Sequence, residues 1–147
     1  MSDRDDFLAW VSSELKDAEV ALLAGNAGPR RTIWSRQDPV MVFGAWKNAV
    51  GSPEVEELFS SLEQVFSSCT AYDFEIVAAD VVGDMAFTVG YERVQATVNG
   101  EARSFTLRAT QVYRREDAEW KVVHRHADEV ADEEAATGGA PEPPAPA

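Results

Sequence analysis

Residues 106–128 read TLRATQVYRREDAEWKVVHRHAD, two stretches of alternating side chains around a charged turn. A period of two is the pattern of a strand with one buried face, so the stretch predicts an antiparallel hairpin. The chain's two histidines, His124 and His126, fall in the second stretch on one parity with Asp128. A histidine titrates near neutral pH and can donate, accept or bind a metal, which makes the pair the first candidate for a reactive site.

Working outward, the same period runs from Tyr72 onward in four segments, roughly 72–82, 85–98, 102–115 and 119–128. Gly83-Asp84, Asn99-Gly100 and Glu116-Asp117-Ala118 separate them. Such short connections predict a four-stranded antiparallel meander. Upstream the period is helical. Phe7, Leu8, Val11, Leu15, Ala18 and Leu22 mark one amphipathic helix over 3–24, with Asp3, Asp5 and Asp6 at the positive end of its dipole. It stops near Gly25-Asn26, and the following Gly- and Pro-containing segment predicts loop with one helical turn near Trp34. Val40 to Gly44 reads as a short strand, and Gly51-Ser52-Pro53-Glu54 as a helix start capped by Ser52. Val55, Leu58, Phe59, Leu62, Val65 and Phe66 carry that second helix over about 53–68. Helices followed by a meander predict an α+β fold with the helices on one sheet face.

At 147 residues the chain suits one domain with its own core, and no apolar run approaches the length of a membrane span. Its N-terminus lacks the basic segment and apolar core of a secretory signal, so a cytoplasmic location is expected. Cys69 is the single cysteine and reads as small packing material. The net charge is −13 without any basic stripe, which argues against nucleic acid and anionic membranes as partners. Six of the 26 acids lie between Asp128 and Glu142, and TGGAPEPPAPA closes the chain with four of its seven prolines. Residues 1–128 are therefore expected to fold, and 129–147 to form an acidic, then Pro/Ala-rich, disordered tail.

Strand parity divides the meander into two faces. On the second segment Met85, Phe87, Val89, Tyr91 and Arg93 are expected inside, and on the third Phe105, Leu107, Ala109, Gln111 and Tyr113. If the last two turns each use three residues, Arg93 pairs with Leu107 and Gln111 with Arg125, leaving Val123, Arg125 and Ala127 inside. Trp120, Val122, His124, His126 and Asp128 then lie outside beside Arg108 and Thr110, where Thr110 and His126 match in polarity. A slip of one residue reverses every assignment.

The Gly-Ser-Pro helix start at Gly51, the Gly83-Asp84 hairpin, the LRATQVYRRED run and the terminal WKVVHRHAD together resemble the SnoaL-like group of the nuclear transport factor 2-like superfamily over nearly residues 4–128. The terminal motif is also similar to the association domain of calcium/calmodulin-dependent kinase II. The resemblance implies a cone-shaped α+β fold, a pocket between helices and curved sheet, and a homodimer formed through the outer sheet face. The related ketosteroid isomerase has an Asp base just after its first strand; Val42-Phe43-Gly44 stands there, so that base is missing. Of the arginines in the kinase-domain pocket, Arg93 matches one, while Gln111 and Ala127 replace two others.

The expected ligand pocket therefore comprises Tyr91, Arg93, Gln111, Tyr113 and Arg125, roofed by Trp34 and Trp46, and the expected dimer contact comprises Arg108, Thr110, His124 and His126. His124, His126 and Asp128 are the catalytic candidates; without a third histidine no metal site is expected, nor is a cofactor. Glu54, Glu56, Glu57 and Glu63 read as a solvated helix face. Two functions follow as expectations. One is a pocket protein for a small hydrophobic carbonyl or carboxylate compound, with isomerase, hydratase or cyclase chemistry open to it. The other is a non-catalytic homodimerisation module with a vestigial pocket.

Overall fold

A computed structural model describes residues 2–130. The expected tail lies outside the described residues except for Glu129 and Val130, and the last strand continues through Glu129. The first helical stretch comprises α1 (Asp3–Trp10), a wider π turn over Val11–Leu15, and α2 (Lys16–Leu23). Ser12 and Ser13 donate their hydroxyls to the carbonyls of Leu8 and Ala9, competition that loosens the regular ladder where the wide turn begins. Phe7, Val11, Leu15, Ala18 and Leu22 form its buried stripe, each large apolar member contributing about 1.5–3 kcal/mol by burial. The expected single turn near Trp34 is α3 (Gly28–Ile33), which ends at Trp34.

A six-stranded open sheet holds β1 (Met41–Phe43), β2 (Asn48–Val50), β3 (Phe66–Val82), β4 (Met85–Val98), β5 (Glu101–Glu116) and β6 (Glu119–Glu129) in the order β2-β1-β6-β5-β4-β3. α4 (Ser52–Val65) stops three residues before the expected end, and β3 starts at once. Ser52 does not cap it with its side chain. Gly51, at φ 88°, is the N-cap; the Ser52 amide donates to Asp38, and Glu54 accepts from the Val50 amide. The helix's acids are also less free than expected: Glu56 pairs with Arg31, and Glu63 accepts from both Arg31 and the Ala27 amide. Those two hydrogen bonds, Arg31's first, hold the Glu63 carboxyl below its ordinary range.

All three hairpins of the meander use two-residue turns, and this corrects the faces. Val98 pairs with Glu101, so Glu92, not Arg93, stands opposite Leu107. The buried parity of β4 is accordingly Ala86, Thr88, Glu92, Val94 and Ala96, while Met85 and Phe87 are 42% and 38% exposed. The last hairpin behaves differently. Its turn is Asp117-Ala118, but a bulge follows: Tyr113 pairs with Val122 and Val112 with His124, leaving Val123 extra. The extra residue restores the expected Gln111↔Arg125 and Thr110↔His126 pairs. It also places Trp120 and Val122 in the core, not outside.

The core has two parts. One joins the first helices, α4 and the Trp120 end of β6; the other joins Leu23 and Phe66 to the far halves of β4 and β5. The candidate site lies where they meet. No helix among the described residues is long and apolar enough to cross a membrane, which says nothing of strands.

Candidate functional site

Between α2, α4 and the inner sheet face is a cavity of about 80 Å³. Leu22, Leu23, Leu58 and Leu62 line it from the helices, and Val42, Val94, Leu107 and Ala127 from the sheet. Its mouth is the β1–β2 turn, Gly44 to Lys47, where Trp46 lies against Phe66 and Phe105 at centroid distances of 5.9 and 5.6 Å.

The inner end is polar, and it is built from residues far apart in sequence. β4 supplies Glu92, 2% exposed, and β6 supplies Arg125. Arg125 donates through Nη1 to Glu92 Oε2 at 3.1 Å and through Nη2 to Oε1. The Tyr72 hydroxyl, from β3, donates to the same Oε2 at 2.8 Å. A second buried pair stands beside the first: Arg30, from α3, donates to both oxygens of Glu19, at 2.9 and 2.8 Å through Nη2. All five side chains line the cavity.

Burial alone would raise the Glu92 carboxyl, but the charge and hydrogen bonds of Arg125, with the Tyr72 hydroxyl, outweigh it and hold Glu92 below its ordinary value. Burial likewise opposes charge on Arg125, and Glu92, then Glu19, hold it above the ordinary arginine value. Burial and the two carboxylates push the Tyr72 hydroxyl well above the usual tyrosine value. Glu92 and Arg125 therefore face each other as anion and cation beside a protonated phenol, and the Glu19–Arg30 ion pair stands next to them.

Of the residues expected in a pocket, Arg125 and Trp46 line this cavity, and Trp46 is 49% exposed. Gln111 sits directly behind: Oε1 accepts from Arg125 at 3.2 Å and Nε2 donates to the Tyr113 hydroxyl at 2.7 Å. Tyr113 itself is sealed in the core, sharing a 2.7 Å hydrogen bond with Thr88 and a ring contact with Phe7. Trp34 is also core, edge-on to Phe59. Tyr91 and Arg93 lie on the other sheet face, with the guanidinium over the ring and paired to Glu75 at 2.9 Å, so the two-residue turn removes them from the pocket. Sequence reasoning missed Glu19, Arg30, Tyr72 and Glu92. A signal was present for Glu19, which falls on the apolar stripe one turn after Leu15, whereas Glu92 shares parity with Ala86, Thr88 and Gly90, the set whose small and polar members read as the outer face.

The histidines are on the outer face. His124 Nδ1 is 3.1 Å from the Met41 carbonyl, and Phe43 lies edge-on to both rings. Asp128 accepts from Arg108 Nε at 3.0 Å, a hydrogen bond that lowers its pKa, and Thr110 pairs with His126 across strands. None of these side chains reaches the cavity. Among the described residues no three His, Cys, Asp or Glu side chains are grouped to hold a metal.

The sequence profile of a family described as SnoaL-like domain matches residues 21–131. No curated protein matches. Among solved structures, an NTF2-like protein from Cytophaga hutchinsonii is similar at 14% identity and a TM-score of 0.67, covering 88% of this chain and 100% of its own. A provisionally named dehydratase of the NTF2-like family from Streptomyces avermitilis is similar at 20% identity and a TM-score of 0.67, with 86% and 98% covered. A provisionally named calcium/calmodulin-dependent protein kinase type II association domain from Thiobacillus denitrificans is similar at 20% identity and a TM-score of 0.66, with 82% and 94% covered. At such identities the likeness concerns the fold.

Proposed function

Because the chain belongs to the SnoaL-like domain family, we propose that it binds a small, largely apolar molecule whose carbonyl or hydroxyl group rests on the Glu92–Arg125–Tyr72 floor. The supporting observation is an apolar cavity ended by buried charges that already cancel. A charged group brought to that floor would stay uncompensated in a low dielectric, whereas a neutral one can exchange hydrogen bonds with the pairs. The volume sets a scale as well. About 80 Å³ is well below the roughly 300–1,000 Å³ of sites for drug-sized ligands, so the occupant is short or Trp46 swings aside to admit it.

Binding is favoured over acid/base chemistry. A dehydration of the kind named for the Streptomyces avermitilis protein needs a base with a pKa near neutrality. Glu92 is held low and is engaged by three donors, while His124 and His126 face away. The direct test is to measure thermal unfolding with cyclohexanone, cyclohexanol and short linear ketones, for the native chain and for Ala127→Leu, which fills the cavity. Stabilisation of the native chain alone supports the reading; no stabilisation of either sinks it.

A homodimer through the outer face is the second reading. Phe43, His126, Thr110, Val89 and Ala78 form one row across five strands, and Phe87 lies in the next. Exposed Phe43 and Phe87 on one sheet face favour a partner there, and a second copy sets row against row.

A further inference from the structure

Five charged side chains line the cavity, and one stands apart from the rest. Glu19 and Arg30 cancel, as do Glu92 and Arg125. Lys47, at the mouth, makes no ion pair or side-chain hydrogen bond with any described residue. Nine of the chain's 13 bases are ion-paired among the described residues; Lys16 and Arg36 share the state of Lys47, but neither of them lines the cavity. Its position is set by a tight turn. The Gly44 amide donates to the Lys47 carbonyl at 3.0 Å, and a Cβ on Gly44 would come within 2.7 Å of that oxygen. Lys47 and the neighbouring Trp46 are thereby held together at the mouth.

The charges at the cavity's floor thus cancel, and Lys47, exposed at the turn that closes the opening, is the one charged residue of the lining outside those pairs. We infer that Lys47 is a specificity-determining residue, taking the carboxylate of a short oxo or hydroxy acid whose neutral oxygen lies on the floor and whose carbon chain lies between. The inference rests on the cavity reading proposed above and adds the ligand's outer end to it. A carboxylate at the mouth keeps most of its hydration, so the charge pair costs little to form. For the same reason it gives a modest, salt-sensitive preference, about fivefold.

Levulinate and its uncharged methyl ester share the oxo group and differ at the outer end, which makes them the matched probes. Calorimetric titration of both into the native chain, Lys47→Ala and Lys47→Arg tests the assignment, with Ala127→Leu as the blocked cavity. The expected result is an acid preference of about fivefold at low ionic strength in the native chain and Lys47→Arg. It disappears in molar salt and in Lys47→Ala, while the ester binds all three equally and Ala127→Leu binds neither probe. Equal native affinity for acid and ester, or an acid preference surviving in Lys47→Ala, overturns the role of Lys47 and leaves the cavity reading standing. A native chain that binds neither probe overturns the role of Lys47, and it overturns the cavity reading as well when cyclohexanone, cyclohexanol and the short ketones also fail to stabilise that chain. Lys47 is exposed, so unchanged thermal unfolding of the variants separates loss of charge from loss of fold.

Discussion

Glu92 is a carboxylate 2% exposed to solvent, and it stays ionised only because Arg125 and Tyr72 aim three donors at it. Removing one partner of such a pair costs far more than the pair's net contribution, because the remaining charge is stranded. Arg125→Met is therefore expected to lose about 3–5 kcal/mol in urea unfolding, and the double variant Glu92→Leu/Arg125→Met to recover much of that loss. The pH dependence distinguishes the mechanism. A carboxyl held low in the folded state contributes stability that is complete above its unfolded pKa, near 4.5, and is lost as pH falls through the folded value. In Arg125→Met burial acts alone and raises the carboxyl, so folding then gains as Glu92 protonates. The stability gap between the two proteins should be widest near neutral pH and narrow as pH falls through the carboxylate range; a constant gap would refute it. None of this was legible at the residue level, since a glutamate in a strand reads as solvated until its partner, 33 residues away, is placed beside it.

At the scale of elements, the turns set the faces. Asn99 and Gly100 both adopt positive φ, as their residue types favour. Asp117 and Ala118 do so too, at φ 51° and 65°, and alanine there gives no sequence signal for a two-residue turn. Ala118→Gly is expected to stabilise the fold by about 1 kcal/mol, seen as a higher urea midpoint with unchanged slope. The opposite outcome is expected at Gly90. It pairs with Ile76 next to the β3 bulge, and an added Cβ would lie 2.1 Å from the Glu75 carbonyl oxygen. Gly90→Ala should cost about 3 kcal/mol, because backbone and not a movable side chain is in the way. Helix and strand positions were readable from period and punctuation, as at Gly51-Ser52-Pro53 and Gly83-Asp84. The bulge at Val123 was not, yet without it the histidines would face the cavity and Arg125 would face outward.

At the scale of the whole molecule, the sheet separates two surfaces with different chemistry: a helix-covered inner face holding the cavity, and an outer face carrying Phe43, Phe87 and the histidines. If two copies meet there, Phe87→Glu sets like charges against each other at the contact while leaving a 38% exposed side chain free to reach water. Sedimentation should then find a dimer for the native chain and a folded monomer for the variant; a native monomer, or a variant dimer of equal strength, would remove the reading. The α+β architecture, the four-stranded meander and the family resemblance were determined by the sequence itself, because hydrophobic period and turn residues act over a few positions, whereas the short β2 carried no such signal. The composition of the cavity floor was decided only by the tertiary structure. Glu19 and Arg30 lie 11 residues apart, Tyr72 and Glu92 20, and Glu92 and Arg125 33. Which of these side chains face one another depends on single-residue choices in turns and a bulge, and a sheet with a side-chain period of two turns each such choice into a change of face.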